Sequence, residues 1–422
     1  MTEQMNVPKL RFSEFDSCIS MRPISEVIKS YRLGGNYGNT MVPNSNPLMK
    51  MGNLGRGDFN LNKVEYIDSE NLIAEDDEMK YGDLFFNTRN TLDLVGKVAI
   101  WRKELPRAFY NSNLLRLEFD NNFYFNYVFN SPPRIKALRR VATGTTSVAA
   151  VYTRDLLKIL VPISCTKEQQ KIATFLSKVD EKIALLTEKK EKLAEYKKGV
   201  MQQLFNGKWE EQDGQLIFVP PTLRFKADDG SEFPDWVESR IGDLGHFYYG
   251  KSAPKWSVTD EATIPCVRYG ELYSKFKGTV DQIYSKTSIP KEKLKFSKGG
   301  EVLVPRVGED PLDFAKCSYL PFSDVAIGEM ISVFNTKEDG QFIATYFRAT
   351  CQKKFARLVE GGNVSNLYFR YLEDVSVCIP SKNEQLKISD FISKVNIKLE
   401  LLDKELSKAK AWKKGLLQQM FV

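Results

Sequence analysis

Residues Glu168–Phe205 read EQQKIATFLSKVDEKIALLTEKKEKLAEYKKGVMQQLF, with no proline and with no glycine before Gly199. Apolar side chains recur at every seventh position, and a weaker row that begins with Phe175 follows three residues after each of them. A seven-residue repeat keeps one stripe on one face of a slightly supercoiled helix. The pattern therefore predicts a helix roughly 55–60 Å long, at about 1.5 Å per residue. The stripe consists of Ile172, Val179, Leu186, Leu193 and Val200.

A lone helix with so narrow a stripe would be marginal in water, so it needs a partner. Residues Glu384–Phe421 supply one, because they read EQLKISDFISKVNIKLELLDKELSKAKAWKKGLLQQMF. The same row recurs there as Ile388, Val395, Leu402 and Leu416, with Phe391 and Trp412 in the second row. We therefore expect an intramolecular pair of equal helices.

The two helices belong to a repeat that runs through the chain. Residues Pro8–Phe12 (PKLRF) return as Pro221–Phe225 (PTLRF), and Gly52 returns as Gly270. Within the helices one constant offset pairs Phe175 with Phe391 and likewise pairs most of the following positions. A fixed internal period of this kind indicates one structural unit used twice.

Short β-branched runs bounded by turn residues predict strands at Leu94–Trp101, Gly300–Val304 and Val375–Pro380. Short helices are expected at Phe123–Asn130 and Gln341–Thr350. The predicted fold is α+β, with two pseudo-symmetric, strand-rich mixed α/β domains separated by two long antiparallel helices that form a coiled-coil spacer. The expected segments are a first domain at 1–160, a first spacer helix at 161–208, a linker at 209–220, a second domain at 221–378 and a second spacer helix at 379–422.

Composition limits the function classes. The chain has 422 residues, 42% of them hydrophobic, and a formal charge of +7 that is compatible with a polyanionic partner. Its six cysteines are scattered singly, and a single histidine, His246, nearly excludes histidine-based catalysis and mixed Cys/His zinc sites. No signal segment and no apolar run near 18 residues is present, which predicts a soluble cytoplasmic protein with no membrane partner.

These motifs carry a resemblance to the specificity subunit of type I restriction–modification enzymes. Each long helix is entered by a proline followed by Glu-Gln, at Pro162 with Glu168-Gln169 and at Pro380 with Glu384-Gln385. Both helices end in KKG(V/L)(M/L)QQ(L/M)F, and both halves open on Pro-Lys/Thr-Leu-Arg-Phe. The duplicated order of these motifs spans the whole chain and is more specific than any one of them.

The resemblance implies that two target recognition domains each bind one part of a bipartite double-stranded DNA target. It implies that two modification subunits, which methylate adenine, dock on the spacer helices and that restriction subunits complete the complex. It also implies that this chain has no catalytic residue, metal or cofactor of its own, because S-adenosylmethionine, ATP and Mg²⁺ would be bound by the partners. The predicted helix length agrees with this, since repeated DNA readers favour half-sites about one helical turn apart, roughly 34–36 Å, and a rod of roughly 55–60 Å with domains reaching inward from its ends suits that spacing.

Basic side chains and asparagine are the residue types that contact phosphates and the edges of bases. Thr88–Asn90 and Arg306 follow strand-like runs, where a loop could enter a groove. The DNA-binding candidates are Lys50, Arg56, Arg89, Asn90, Lys97, Arg102, Arg139, Arg140, Lys251, Lys255, Arg268, Arg306, Lys316, Lys354 and Arg357.

The helices carry more apolar residues than a two-stranded seam needs. We interpret this surplus, together with the seam, as a surface for helices of partner chains that complete a bundle. The surplus residues are Ala173, Leu176, Ile183, Leu185, Leu204, Ile392, Leu399, Leu401 and Leu406.

Two alternative functions follow from the residues. Gly245–Ser252 fits the phosphate-loop pattern G-x-x-x-x-G-K-[ST], which would make the chain an ATP-dependent enzyme that uses Gly250-Lys251-Ser252. We reject it, because such a loop must lie between a buried strand and a helix, and Ala253-Pro254 follows at once. The other alternative is a purely structural coiled-coil scaffold, which sequence-specific DNA protection would exclude.

Overall fold

The computed structural model describes residues 8–68, 72–145 and 148–421. The chain forms two compact units: unit 1 comprises Met1–Glu188 with Leu402–Val422, and unit 2 comprises Lys189–Leu401. Both long helices pass from one unit into the other, so the units are divided within the helices and not at their ends.

The secondary structure of unit 1 alternates short strands with a few helices. Its described strands are β1 (Ser20–Pro23), β2 (Ser30–Leu33), β3 (Asn39–Thr40), β4 (Pro47–Met49), β5 (Glu65–Ile67), β6 (Leu84–Asn87), β7 (Arg89–Asn90), β8 (Val98–Ile100), β9 (Phe109–Tyr110), β10 (Leu114–Glu118), β11 (Thr143–Gly144), β12 (Ala149–Ala150) and β13 (Leu160–Ile163). Its described α-helices are α1 (Asn122–Phe129), α2 (Pro132–Val141), α3 (Thr153–Leu156), the first part of the long helix α4 (Thr166–Leu204) and the last part of a second long helix, Lys382–Met420.

Unit 2 follows the same plan. Its described strands are β14 (Lys208–Gln212), β15 (Gln215–Val219), β16 (Val237–Arg240), β17 (Gly245–Tyr249), β18 (Ile264–Val267), β19 (Ser285–Thr287), β20 (Phe296–Lys298), β21 (Glu301–Pro305), β22 (Val307–Gly308), β23 (Ser318–Leu320), β24 (Ser323–Ile327), β25 (Ile331–Thr336), β26 (Glu360–Gly361), β27 (Ser365–Asn366) and β28 (Ser376–Ile379). Its described α-helices are the last part of α4, α5 (Tyr269–Ser274), α6 (Gly340–Thr350), α7 (Gln352–Ala356), α8 (Phe369–Leu372) and the first part of α9 (Lys382–Met420).

The sheets of the two units correspond. A four-stranded antiparallel sheet has the order β2-β10-β6-β8 in unit 1 and β17-β25-β21-β23 in unit 2. A second sheet contains one parallel pair in each unit, β4 with β9 and β18 with β24. A small sheet, β11-β12-β7 or β22-β27-β26, and a two-stranded pair, β1-β13 or β16-β28, complete each plan. The α+β class and the duplication predicted from the sequence are confirmed.

One inner strand of each four-stranded antiparallel sheet is buried on both faces, because a helix covers one side and a second sheet the other. All four residues of β6 and all five of β21 are buried. The covering helices α1 and α6 agree with the predictions at Phe123–Asn130 and Gln341–Thr350. Each begins at a side-chain cap: Asn121 accepts from the amide of Tyr124 at 3.0 Å, and Asp339 accepts from that of Phe342 at 2.7 Å.

The motifs at the entry to each long helix form a buried ion pair. Arg11 donates from Nε and Nη2 to the two carboxylate oxygens of Glu168 at 2.7 and 2.8 Å. Arg224 donates to Glu384 in the same way at 3.1 and 2.7 Å. Both glutamates are completely buried. The opening segment of each half is therefore fastened to the first turn of the helix that ends the same half.

The long helices pack against each other in both units. In unit 1 the ring of Phe175 meets that of Trp412 edge-on at 6.1 Å, and Leu186 and Glu405 border one groove, so the two segments are antiparallel. In unit 2 the ring of Tyr196 meets that of Phe391 at 6.4 Å. Of the predicted seam, Ile172, Val179, Ile388, Val395, Leu402 and Leu416 are buried, Phe175, Leu186, Leu193, Val200 and Phe391 are half-buried, and Trp412 is exposed.

Most of the surplus apolar residues are covered by this chain itself, which corrects the interpretation that they await partner helices. Ala173 and Leu176 belong to the core of unit 1, and Leu204 and Ile392 to the core of unit 2. Leu406 is buried as well, whereas Ile183 and Leu399 are half-buried. The physical reason is that each helix packs on a domain as well as on the other helix. Only Leu185 and Leu401 of the surplus set are exposed, at 59% and 53%.

Two further segments differ from expectation. The strand expected over Leu94–Trp101 is shorter, because only Val98–Ile100 pairs with β6 and a turn precedes it. The segment expected as a linker at 209–220 is a hairpin in which β14 pairs with β15 and the rings of Trp209 and Phe218 lie 5.5 Å apart. Among the described residues no helix is long and apolar enough to cross a membrane.

Candidate nucleic-acid interface

Arg306 leaves the buried strand β21 and enters the small sheet of unit 2. Its carbonyl accepts a hydrogen bond from the amide of Leu367 at 2.8 Å, which holds the strand end beside β27. Its guanidinium carbon lies 4.3 Å from the ring centroid of Tyr249 and 5.6 Å from that of Tyr368. Its Nε is buried and has no hydrogen-bond partner among the described residues. The two aromatic rings thus fix the plane of the Arg306 guanidinium, and its Nε–H remains able to donate a hydrogen bond.

A second arginine extends this surface. The guanidinium of Arg370 lies 5.5 Å from the ring centroid of Tyr368 and 4.6 Å from that of Tyr371. The hydroxyl of Tyr371 donates to Glu360 at 2.6 Å, so the aromatic side is also anchored to β26. We call Tyr249, Arg306, Tyr368, Arg370 and Tyr371 the Arg306 cluster. Its rings hold the planes of two guanidinium groups, which are the side-chain groups that contact the phosphates and base edges of duplex DNA.

Unit 1 has the same backbone arrangement with different side chains. The carbonyl of Thr88 accepts from the amide of Val151 at 3.0 Å, as that of Arg306 does from Leu367. Arg154 lies 5.9 Å from the ring centroid of Tyr152, which matches the pairing of Arg370 with Tyr368. Thr88 has no cation to offer, but the next residue, Arg89, is exposed on β7. The equivalent loops of the two units therefore present different side chains, as recognition of two different base sequences requires.

Three of the predicted cations of unit 1 come together in a second place. Burial lowers the pKa of Arg56, and the positive charge of Arg139 lowers it further. Burial also lowers the pKa of Lys97, with a further contribution from Arg56. Arg139 forms an ion pair with Asp93 at 3.5 Å, and the Asp93 carbonyl accepts from Arg56 at 3.4 Å. This cluster holds more positive charge than its own carboxylate neutralises.

Several other candidates are engaged within the chain. Lys50 pairs with Glu65 at 2.8 Å, and Lys316 pairs with Asp313 at 2.7 Å. The remaining engaged candidates are Arg102, which pairs with Asp180 at 3.4 Å, and Lys354, which donates to the Ser376 carbonyl at 2.7 Å. Asn90 is half-buried in β7 and accepts from the amide of Thr91, Arg268 precedes α5, and Arg140, Lys255 and Arg357 are exposed.

The phosphate-loop geometry is not formed around Lys251. Gly245–Tyr249 is an edge strand of the sheet, and Ser252 and Ala253 have φ of 64° and 58°. A three-residue 3-10 helix follows at Lys255–Ser257, where a phosphate loop would have an α-helix. Within the described residues no group of three or more histidine, cysteine or acidic side chains is placed to hold a metal ion.

The sequence predictions missed the aromatic half of the interface. Tyr249, Tyr368 and Arg370 were not among the candidates, nor were Tyr152 and Arg154. A signal for four of them exists in the repeat, because Val-Tyr-Thr-Arg at 151–154 matches Leu-Tyr-Phe-Arg at 367–370. Tyr249 has no such signal, since only the pairing of β17 with β25 brings it to Arg306.

The structure is that of a duplicated recognition protein. It has two like domains, two long helices and a loop surface of arginine and tyrosine. A family model described as the type I restriction modification DNA specificity domain matches residues 38–195 and 234–411. The chain belongs to this family, and its assignment from sequence to the specificity subunits of type I restriction–modification enzymes is confirmed.

Individual relatives agree with the family over nearly the full length. A Methanocaldococcus jannaschii protein described as a type I restriction enzyme specificity subunit, MjaX, is 22% identical over 98% of this chain and 95% of its own. The type I restriction–modification S subunit from M. genitalium has a similar fold, with a TM-score of 0.62, 15% identity and 99% coverage of each chain. A chain from a structure of type I R-M complex assembly and conformational transition reaches a TM-score of 0.51 at 13% identity, over 94% of this chain and 96% of that one.

Proposed function

We propose that this specificity subunit reads a bipartite DNA target, with the loops of one small sheet in each unit contacting one half-site. The observation that carries the proposal is the equivalence of the loops at Thr88–Asn90 and Arg306–Gly308, which share backbone hydrogen bonds and differ in side chains. A shared frame with exchanged side chains is how a duplicated reader recognises two different base sequences. Arg306, Arg370, Arg89 and Asn90 are the proposed base-edge contacts.

The test is an exchange of one domain. Replacement of residues 221–378 with the matching segment of another family member is expected to change the bases of one half-site and leave the other intact, because each unit carries its own loops. The measurement is a map of methylated adenines in a host genome that expresses the chain with its partner subunits. The unexchanged chain is the control. A change in both half-sites would contradict independent reading by the two units.

We further propose that two modification subunits dock on the long helices, with S-adenosylmethionine bound by them, and that restriction subunits using ATP and Mg²⁺ join through them. The support is two pairs of exposed apolar side chains, and the helix repeat makes the two members of each pair equivalent. Leu185 matches Leu401, and Tyr196 matches Trp412, with 59%, 53%, 54% and 50% of their surfaces exposed. Two equivalent apolar surfaces fit two copies of one partner. In this assembly the specificity subunit supplies recognition and spacing and the partners supply the chemistry.

Leu185→Glu and Leu401→Glu are each expected to remove one modification subunit from the assembly, because a buried, unpaired carboxylate opposes docking. The double variant is expected to bind none. Native mass spectrometry of the purified complex gives the stoichiometry directly. Leu216→Glu, at a leucine that is 70% exposed on the hairpin β14-β15, is the matched control and should retain both subunits. Full occupancy in the double variant would place the docking surface elsewhere.

A further inference from the structure

A cavity in unit 2 is lined by cations without a lining carboxylate. It has a volume of about 610 Å³ and lies where the last turns of α4 face α6 and the loop after α5. Lys197, Lys198, Lys277 and Arg348 line it, and no aspartate or glutamate does. None of these four side chains takes part in an ion pair between described residues. Such a concentration of like charge in a concave site is unfavourable unless an anion joins it.

The backbone brings these charges together. Gly278 has a φ of 111°, and a Cβ there would lie 3.3 Å from Cδ of Arg348, so the glycine lets the loop that carries Lys277 approach α6. Burial lowers the pKa of Lys197, and the charges of Arg348 and Lys277 lower it further. Arg348 donates from Nη1 to the neutral carbonyl of Cys317 at 3.0 Å, and the nearby carboxylate of Asp313 is paired with Lys316 at 2.7 Å.

Unit 1 contains the equivalent cavity, of about 240 Å³. The helix repeat makes Lys413 and Lys414 the counterparts of Lys197 and Lys198, and Gly57, with a φ of 99°, borders it as Gly278 borders the other. A carboxylate that is not itself part of the lining, that of Asp180, bonds to two residues of the lining. Asp180 accepts from Lys413 at 2.6 Å, from the hydroxyl of Tyr127 at 2.9 Å and from Arg102 at 3.4 Å. Lys413, the counterpart of Lys197, thus has a carboxylate partner in unit 1.

Two exchanges make the cavity of unit 2 more cationic at equivalent positions. The constant offset of the helices places Asn396 where unit 1 has Asp180, and Asn396 lines the unit 2 cavity. Arg348 stands at the same distance from its helix cap, Asp339, as Asn130 does from Asn121. Unit 2 therefore has an amide in place of the carboxylate and a guanidinium in place of an amide. The lysine that the helix repeat makes equivalent is therefore paired with a carboxylate in unit 1, whereas Lys197 has no such pair among the described residues, although Arg56, Lys410 and Lys414 also line the unit 1 cavity.

We propose that the cavity of unit 2 binds a phosphate group, which supplies the negative charge that Asp180 supplies in unit 1. Phosphate fits better than a single carboxylate because it carries up to two charges and three acceptor oxygens, enough for one guanidinium and several ammonium groups. The phosphate comes from the DNA backbone or from a free phosphate ligand. Only the DNA source rests on the proposed function.

The first arm of the experiment titrates the full-length chain with inorganic pyrophosphate in a calorimeter. Asn396→Asp installs the carboxylate of unit 1 with almost no change of shape, and it is expected to weaken pyrophosphate binding at least tenfold. Lys197→Met is also expected to weaken pyrophosphate binding, because it removes one of the cations that line the cavity. Asn383→Asp adds the same charge at an exposed position in the first turn of α9, outside the cavity lining, and should bind as the unaltered chain does.

The second arm identifies the source of the phosphate from the salt dependence of duplex binding by the assembled complex. If the phosphate belongs to DNA, Asn396→Asp reduces the slope of log K against log salt by about 0.9, because one backbone contact is lost. An unchanged slope together with lost pyrophosphate binding assigns the cavity to a free phosphate ligand. Equal pyrophosphate affinity of Asn396→Asp and the unaltered chain overturns the proposal. The proposal is also overturned if the unaltered chain binds no pyrophosphate. In that case, weaker assembly of Asn396→Asp with the modification subunit would identify an acidic protein segment as the occupant.

Discussion

Arg224→Ala is expected to lower the free energy of unfolding of unit 2 by about 3–5 kcal/mol, because it leaves the carboxylate of Glu384 buried without its cation. Glu384 is completely buried, and both of its oxygens accept from Arg224, at 3.1 and 2.7 Å. The same guanidinium also donates to the carbonyl of Pro234 at 2.6 Å. Its loss therefore releases the opening segment of the half from the first turn of α9.

The duplication provides an internal comparison for this variant. Arg11→Ala is expected to destabilise unit 1 by a similar amount, since it removes the equivalent partner of Glu168. Lys226→Ala breaks the exposed pair with Glu232 and should leave stability unchanged. Hydrogen exchange measured by mass spectrometry follows the two units separately, which a single unfolding midpoint would not. Equal protection of unit 2 in Arg224→Ala and Lys226→Ala would show that the pair does not anchor the helix.

These ion pairs explain what the recurring motifs are for. The sequence shows that Pro-x-Leu-Arg-Phe and Glu-Gln occur twice in the same order, but it does not show that Arg and Glu meet. They are about as far apart along the chain in both halves, and only the folded domain closes that distance. Helices and strands were predictable because heptads, caps and β-branched runs are patterns within a short stretch of sequence. Thus α4 and α9 begin and end within two residues of the heptad stretches Glu168–Phe205 and Glu384–Phe421, and they lie inside the wider segments expected at 161–208 and 379–422.

The surplus apolar residues show where periodicity stops being informative. A stripe on a helix indicates that a surface will be covered, but not by which neighbour. Leu176 and Leu204 are covered by the domains of this chain, whereas Leu185 and Leu401 are left exposed. The four occur on the same two helices with the same residue type. Only the tertiary packing of each unit separates core leucines from those available to a partner.

The candidate interface was predictable to a similar degree. Residue type and position after a strand were enough to select Arg306 and Arg89 from the sequence. Tyr249 and Tyr368 were missed because they lie far from Arg306 along the chain and meet it through the sheet order β17-β25-β21 and the pairing of β22 with β27. Conversely, Lys50 and Arg102 have suitable chemistry but face carboxylates of their own chain. Charge alone cannot distinguish these two situations.

Arg306→Ala is expected to weaken binding of the assembled complex to its target duplex by about 1–3 kcal/mol, or roughly 5- to 150-fold, because a guanidinium held by two rings is preorganised for a bidentate contact to a base edge. The loss should fall on one half-site, so that substitutions there no longer matter while those in the other half-site still do. Fluorescence anisotropy with duplexes altered in one half at a time measures both effects. Thr88→Ala, at the equivalent position of unit 1, should cost less, since it removes no cation.

Arg306→Lys separates a base contact from a phosphate contact. Lysine keeps the charge but loses the planar pair of donors and the stacking on Tyr249. If Arg306 reads a base, Arg306→Lys retains the salt dependence of the unaltered complex and still loses discrimination at that half-site. If it binds a phosphate, lysine restores affinity for every duplex, and discrimination is unchanged in both variants. That second outcome would contradict the assignment of Arg306 as a base reader, because a positioning contact carries no sequence information.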